Sequence, residues 1–531
     1  MKSADKRVTI YDTTLRDGTQ GEGVSFSSLD KMRIAEKLDE FGMDYIEGGW
    51  PGSNPKDVEF FKLASKHQWK HARVAAFGST RRADKKVEED AQIRTLLEAE
   101  TPVITIFGKS WKLHVTEVLR TTAEENQAMV RDSVRYLKEQ GREVIYDAEH
   151  FFDGYKDDAE HALGTLRAAE EGGADLIVLC DTNGGMMPHE VEEFSRVIMA
   201  ELKTPIGIHT HDDSGVGVAN ALAAIRTGGV QVQGTINGYG ERTGNCNLTT
   251  VIPCLQLKMG IEVVPDLAKL TQMAHFVDDL ANNAHNEHAP FIGRTAFSHK
   301  GGMHVNAVQK LARTYEHIEP AKVGNQQIIL VSELSGRSNV LMKARELGVE
   351  LEAGSPEVLE ILEKLKNLEQ DGYEFEAADA SFELLIRKSL RQHRKFFSLQ
   401  EFHSTYRRVG EGHETCEATV KLKVGDQAEY TVSEGRGPVD ALDAAFRKAL
   451  VPFYSEISEV ELKDYKVRII DSQAGTGSKT RVLIVSARGG ETWATVGVSD
   501  NIIEASWQAL VDSYDYFLRK YTEDPGVADE T

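Results

Sequence analysis

Cysteine is scarce in this chain. Its four copies among 531 residues, Cys180, Cys246, Cys254 and Cys416, are scattered and form no CxxC pair, which argues against a disulfide framework and for a reducing compartment. Long apolar runs are missing too: none approaches the roughly 18 residues of a membrane span. The opening segment Met1–Arg7 is short and polar, with no apolar signal-peptide stretch, so the expected location is the cytoplasm. Positive charge is in deficit, 62 Lys and Arg against 84 Asp and Glu, for a formal net charge of −22. A field of that sign disfavours nucleic acid or an anionic membrane as the main partner, although a local basic patch could still hold a phosphorylated ligand. No low-complexity tract interrupts the chain. With 40% hydrophobic and 27% charged residues, the composition is that of globular domains, two or three at this length.

What the sequence does have is an alternation. Eight short β-rich runs follow one another: Val8–Tyr11, Tyr45–Glu47, Arg73–Phe77, Val103–Phe107, Glu143–Tyr146, Leu176–Leu179, Ile206–Thr210 and Val232–Ile236. Between them apolar residues recur every three or four positions, as in Met32, Ile34, Ala35, Leu38 and Phe41, or Val191, Phe194, Val197 and Ile198. Near-continuous apolar strands, each followed by an amphipathic helix, predict parallel pairing with both faces covered. Eight such units in roughly 240 residues fit a (β/α)₈ TIM barrel, expected over residues 1–266. An open doubly wound sheet is the alternative. It usually carries a Gly-rich fingerprint after its first strand, whereas here that strand runs into Asp12-Thr-Thr-Leu-Arg-Asp-Gly18.

Catalytic groups of such a barrel sit at the C-terminal ends of its strands. In order, those ends carry Arg16 and Asp17, then Glu47, Glu149, Asp181 and Thr182, then His209 and His211, and last the loop Asn237–Asn245. His209 and His211 are two apart on a strand and share a face, where both imidazoles can close on one ion. With Asp17 across the mouth, the set suits a divalent cation with open positions: Mn²⁺, Mg²⁺, Zn²⁺ or Co²⁺. Asn245 would add an amide oxygen, or else is a turn residue tolerating a left-handed backbone. A hydrolase of the amidohydrolase type would place its HxH at strand one, so the order of ligands excludes it. Arg16 is permanently charged. It is read either as a salt bridge to Glu47 or as the group that polarises a carbonyl and holds the resulting oxyanion, and both hold at once if Glu47 orients it. Glu149 is the candidate general base; the other reading makes it a partner of His150 or of a nearby cation.

Three segments carry a resemblance. Asp12-Thr-Thr-Leu-Arg16-Asp17-Gly18-Thr-Gln20, His209-Thr-His211 and Asn237-Gly-Tyr-Gly-Glu241-Arg242-Thr-Gly244-Asn245 resemble the signatures of the 2-isopropylmalate, homocitrate and citramalate synthase family, metal-dependent barrels of the DRE-TIM metallolyase superfamily. The stretch Tyr45–Asp57, with Phe77-Gly-Ser-Thr-Arg-Arg82 and Cys180-Asp-Thr-Asn-Gly-Gly185, is similar to a citramalate-forming branch, and the resemblance runs from about Val8 to about Tyr514. It implies a Claisen-type condensation of acetyl-CoA, the co-substrate, with a 2-oxo acid, pyruvate in that branch. It further implies Asp17, His209, His211 and Asn245 around a divalent ion, Arg16 on the keto oxygen supported by Glu47, and Thr182 on the 2-oxo acid carboxylate. Ser298–His304 and Tyr315 resemble the linker motif that reaches a neighbouring subunit's site, so His304 joins Glu149 in proton transfer. This chain departs from many relatives in having Asp147, not an aromatic or aliphatic residue, two positions before Glu149.

The second half reads differently. Residues 267–379 turn helical, with amphipathic stretches such as Glu357–Leu368, and are expected to serve as linker subdomains and dimer contact. From about Ala380 an internal repeat appears: strand-like Glu401–Arg407, Ala418–Val424 and Glu429–Val432 lead to a helix near Val439–Leu450, and Tyr465–Ile470, Arg481–Ser486 and Thr492–Val498 lead to one near Ile502–Tyr516. Pro438 and Ser499 or Asp500 supply the start signals of these helices. Two βββα copies over residues 380–531 make an α+β module that resembles the family's regulatory domain. The resemblance implies a homodimer with a branched-chain amino acid effector, isoleucine in the citramalate branch; a dimerisation module that binds nothing is the alternative. Ala474–Thr480 departs from P-loop spacing and lies between strands, so it reads as a turn. Arg387–Lys395 reads as a solvated or interfacial helix face, and Thr80–Lys86 as a candidate grip on CoA phosphates. Competing functions are a synthase for a larger 2-oxo acid, a lyase running the chemistry backwards, and an amino-acid sensor on a barrel without catalysis.

Overall fold

The computed structural model describes residues 7–330, 337–346, 348–349, 351–352, 355–409, 413–470 and 478–522. Two compact units divide the chain, Met1–Phe297 with Ile318–Gln327, and Ser298–His317 with Ile328–Thr531.

The first unit is a closed barrel of eight parallel strands: β1 (Thr9–Asp12), β2 (Tyr45–Gly49), β3 (Arg73–Ser79), β4 (Val103–Lys109), β5 (Glu143–Glu149), β6 (Leu176–Asp181), β7 (Ile206–Thr210) and β8 (Gln231–Gly234). Closure comes from β1 pairing with β8, Thr9 opposite Gln231 and Asp12 opposite Gly234. The open doubly wound sheet is thereby excluded. Strand eight stops at Gly234, and Ile236 belongs to the turn that follows. Helices form where the apolar spacing places them. Ser28–Phe41 buries Met32, Ile34, Ala35, Leu38 and Phe41, starts on a Ser27–Asp30 capping box and stops at Gly42 in a left-handed conformation; each of these is a known start or stop device. The outer core, between strands and helices, holds Ile10, Ile46, Val74, Ile104, Val144, Ile177 and Ile208. A smaller cluster of Tyr11, Ala75, Val103, Ile145, Val178 and Cys180 contains their alternate neighbours on the strands, which point the other way.

The second unit contains a short parallel pair, β9 (Ser298–His299) with β10 (Ile328–Ile329), and two antiparallel sheets. The sheets are β11 (Ser398–Val409), β12 (His413–Val424), β13 (Gln427–Gly435), and β14 (Glu461–Ile469), β15 (Thr480–Arg488), β16 (Glu491–Ser499). Each is followed by a helix, Pro438–Leu450 and Ile502–Thr522. The repeat extends to fine detail. A register shift falls near the start of β11, between Leu399 and Glu401, and again near the start of β14, between Leu462 and Asp464. Thr431 donates to the Ala445 carbonyl and Thr495 to the Ala509 carbonyl, both 14 residues on, at 2.8 and 2.7 Å. A bulge conserved between two copies of a motif is a designed bend, not a defect. Most of the Ala474–Thr480 turn lies outside the described residues. Among the described residues, no helix is long and apolar enough to cross a membrane.

Candidate active site

Barrel geometry collects the strand-end groups in one cavity of about 200 Å³, whose lining includes Arg16, Asp17, Glu149, Thr182, His209 and His211. Trp50, Phe77 and Phe107 give it an aromatic wall, with Trp50 edge-on to both phenyl rings.

Arg16 is held on three sides. Its Nε donates to Glu47 Oε2 at 2.5 Å, Nη1 lies 3.2 Å from Asp17 Oδ1, and the guanidinium stacks 3.8 Å above the Phe77 ring. Glu47 is fully buried and accepts two further hydrogen bonds, from Tyr11 Oη to Oε1 at 2.7 Å and from Thr13 Oγ1 to Oε2 at 2.5 Å. A buried carboxylate survives only when paired and hydrogen-bonded in this way. The salt bridge and the orienting role read from the sequence are therefore one arrangement.

Asp17, His209 and His211 are buried, and one ligand atom from each lies within 4.8 Å of the others. Their Nε2 atoms are 3.4 Å apart, and His209 Nε2 is 3.2 Å from Asp17 Oδ2. Burial opposes the Asp17 charge, but Arg16 and His209 more than offset it and hold its carboxyl well below the usual range. Burial pushes His211 down to about 3, so this imidazole is neutral and one ring nitrogen keeps a lone pair for a metal ion. Asn245 is brought beside His211 by a backbone bridge, and among the described residues neither of its buried amide atoms has a hydrogen-bond partner. Two imidazoles, a carboxylate kept ionised and an unpartnered buried amide suit a divalent cation.

Glu149 ends β5 in an ion pair with Lys109, at the end of β4, so of the partners considered for it the cation is the one observed. Thr182 Oγ1 accepts the His150 backbone N–H at 2.9 Å, where His150 has a positive φ of 54°. Asp181 turns away to accept the Gly185 and Met186 N–H groups, as a turn builder. His304 and Tyr315 lie in the second unit, their rings stacked 4.2 Å apart. Arg81 is engaged by Glu125 and Asp132, whereas Arg82, Lys85 and Lys86 of the Thr80–Lys86 segment have no ion pair among the described residues and are the cations left for any phosphate.

Several supporting residues escaped the sequence reading. Gln233 accepts a hydrogen bond from His209 Nδ1, Lys109 pairs with Glu149, and Asp278, on the helix Leu270–Ala281, accepts from Asn237 Nδ2 at 2.6 Å and from the Tyr239 hydroxyl. The last pair anchors the loop that carries Asn245. A tight turn in that loop needs Gly244, whose φ is +106° and where a Cβ would overlap the Gly238 carbonyl oxygen. Gly244→Ala is expected to cost about 1–3 kcal/mol, read as a lower midpoint in urea unfolding.

Fold and site together define a class: a parallel barrel whose strand ends bring together residues that could hold a divalent cation, beside a fixed guanidinium. Residues 7–277 match the HMGL-like family, residues 291–372 the homocitrate synthase post-HMGL domain-like family, and residues 376–518 the LeuA allosteric (dimerisation) domain. The chain is 54% identical to the (R)-citramalate synthase of Aquifex aeolicus, covering 98% of this chain and 99% of that one. It is 53% identical to that of Geobacter sulfurreducens, over 98% and 99%, and 31% identical to the 2-isopropylmalate synthase of Methanocaldococcus jannaschii, over 97% and 95%. The chain belongs to the HMGL-like family and, within it, to the family of the (R)-citramalate synthases.

Proposed function

We propose that this protein condenses acetyl-CoA with pyruvate and hydrolyses the thioester, giving (R)-citramalate and CoA, a first step toward isoleucine. The observation that carries the reading is the common cavity. Asp17, His209 and His211, fit to hold a divalent ion, the Arg16 guanidinium oriented by Glu47, and the Glu149 carboxylate face the same 200 Å³.

Asp17, His209, His211 and Asn245 hold the ion, whose chemistry when bound is Lewis-acid polarisation of the oxo acid's oxygens. Thr182 orients the 2-oxo acid through its carboxylate. Arg16, fixed by Glu47, donates to the keto oxygen and holds the charge that develops there as the new carbon–carbon bond forms. Glu149 takes a proton from the acetyl methyl group, generating the enolate that attacks the keto carbon; water then cleaves the thioester and CoA leaves. The roles of His304 and Tyr315, in proton transfer alongside Glu149, rest on the sequence motif alone. Trp50, Phe77 and Phe107 line the cavity with apolar rings, Phe77 directly under Arg16, and an apolar wall there supports a methyl-bearing oxo acid. The 31% identity to a 2-isopropylmalate synthase, against 54% to a citramalate synthase, supports the same choice.

The proposal includes a cytoplasmic homodimer with an isoleucine-responsive regulatory domain over 380–531, a helical linker over 267–379 and a catalytic barrel over 1–266. The three matched family models support that division. The test is CoA release from acetyl-CoA with Mn²⁺ or Mg²⁺, offering pyruvate, 2-oxoisovalerate and 2-oxoglutarate side by side. Pyruvate is expected to be turned over fastest. One extra methylene is worth only about 1–3 kcal/mol of discrimination, or about 10–200-fold, so a leak with 2-oxobutyrate is compatible with the reading. Preference for a larger acid would overturn the pyruvate assignment and keep the barrel chemistry; no activity with any acid would favour the sensor.

A further inference from the structure

A hydrogen-bonded arm runs from the metal-ligand pair across the barrel interior. Strand register sets His209 on β7 directly opposite Gln233 on β8. Gln233 Oε1 lies 2.9 Å from His209 Nδ1, and Gln233 Nε2 donates to Asp147 Oδ1 on β5 at 3.1 Å. All three side chains are buried, Gln233 completely. The orientation of the Gln233 amide does not depend on telling oxygen from nitrogen. One end faces Asp147 Oδ1 at 3.1 Å, an acceptor when that carboxylate is ionised, and this makes that end the donor nitrogen. The other end is then an oxygen, and it accepts only if His209 Nδ1 carries a proton.

We infer that Gln233, held by Asp147, is a positioning residue that fixes His209 in its Nδ1–H form and so reserves Nε2, the atom facing Asp17 and His211, for a metal ion. The inference rests on the proposed metal site. The two imidazoles differ in this respect: among the described residues His211 Nδ1 has no hydrogen-bond partner, so the arm orients one ligand and leaves the other to be oriented by the ion. Nδ1 orientation through an amide, with a carboxylate one step further out, serves the purpose that a directly bonded carboxylate or carbonyl serves elsewhere. It does so without placing a second full charge against the imidazole.

The test uses the full-length protein, stripped with chelator and titrated with Mn²⁺ while free Mn²⁺ is followed by electron paramagnetic resonance. Gln233→Met keeps the shape and removes the acceptor. It is expected to weaken Mn²⁺ binding by about 10–100-fold with little change in the circular-dichroism spectrum. Pairing Gln233→Glu with Asp147→Asn rebuilds the chain with donor and acceptor exchanged between the outer two groups, and is expected to restore affinity to within a few-fold. Gln233→Met binding Mn²⁺ like the parent, while His211→Ala does not bind, would overturn the arm and leave the metal site standing. His211→Ala binding like the parent would instead overturn the metal-site reading itself. Failure of the paired variant to restore binding would remove Asp147 from the inference. Should Gln233→Met not fold, ¹⁵N-histidine spectra of the metal-free parent decide: a His209 ring without a proton on Nδ1 overturns the inference, and one with it supports it.

Discussion

Replacing Arg16 by lysine lowers kcat for pyruvate condensation by about 10²–10³-fold, the loss typical of removing one donor from an oxyanion site, about 2.7–4 kcal/mol. The charge is kept, so the loss isolates geometry. The Arg16 fork gives Nε to Glu47 and Nη1 to Asp17 while its plane lies on Phe77, and an ammonium can satisfy at most part of this from one point. Glu47 amplifies the effect, because its remaining hydrogen bonds from Tyr11 and Thr13 hold it where the guanidinium was and not where an ammonium would need it. Arg16→Ala goes further, since it leaves Glu47 a buried carboxylate without a cation, a change that typically costs about 3–5 kcal/mol of stability; for that reason lysine is the cleaner probe. Steady-state kinetics with thermal unfolding on the same preparation separates the two outcomes. A lysine variant with a near-parent kcat and an unchanged melting temperature would remove Arg16 from the oxyanion role.

Much of the barrel was legible because each β/α unit is locally self-consistent. Ile104, Ile106 and Val103 read as a strand wherever they fall, and Met32 through Phe41 read as a helix face. Strand ends then name the rim, which is why Arg16, Asp17, Glu47, Glu149, Thr182, His209 and His211 could be picked out before any coordinate was known. Residues whose partner is set by closure were not legible. Gln233 looks like a polar interruption of strand eight until register places it opposite His209, and Asp147 looks like an oddity until the barrel interior brings it to Gln233. Lys109 needed the β4–β5 pairing, Lys109 opposite Glu149, to become the cation beside Glu149. Asn245 was ambiguous for a different reason. A left-handed turn and a ligand loop use the same residue types, and only the buried, unpartnered amide distinguishes them. In the second half, the repeat could be read from strand spacing, whereas the matched register shifts at Leu399/Glu401 and Leu462/Asp464 could not, because a bulge depends on the strand across from it.

Removing the divalent ion abolishes turnover and softens the barrel, and both effects vanish in a variant that cannot bind it. Chelation is expected to lower the rate by at least about 10³-fold, since the polarising charge is worth several kcal/mol and each 1.36 kcal/mol is a factor of ten. The stability effect follows from mass action: an ion at 100 times its Kd adds about 2.7 kcal/mol. The site is built to gain from the ion. Asp17 is buried and ionised, with Arg16 already shared with Glu47; His211 is neutral with a free lone pair; and among the described residues the Asn245 amide has no hydrogen-bond partner. In the metal-free protein the buried Asn245 amide and the His211 ring are left short of partners among the described residues, a desolvation cost, and a cation would answer it while adding to the attraction that Asp17 already has from Arg16 and His209. Thermal unfolding across a Mn²⁺ titration should therefore rise and saturate for the parent, stay flat for His211→Ala, and stay flat for Asp17→Ala. Asp17→Ala discriminates best. Arg16 and His209 already stabilise the Asp17 charge, so Asp17→Ala is expected to lower metal-free stability as well, and the variant is compared with its own metal-free value: a melting temperature that does not rise with Mn²⁺ assigns the carboxylate to the ion. A variant whose melting temperature still climbs with Mn²⁺ would move the ion elsewhere on the protein.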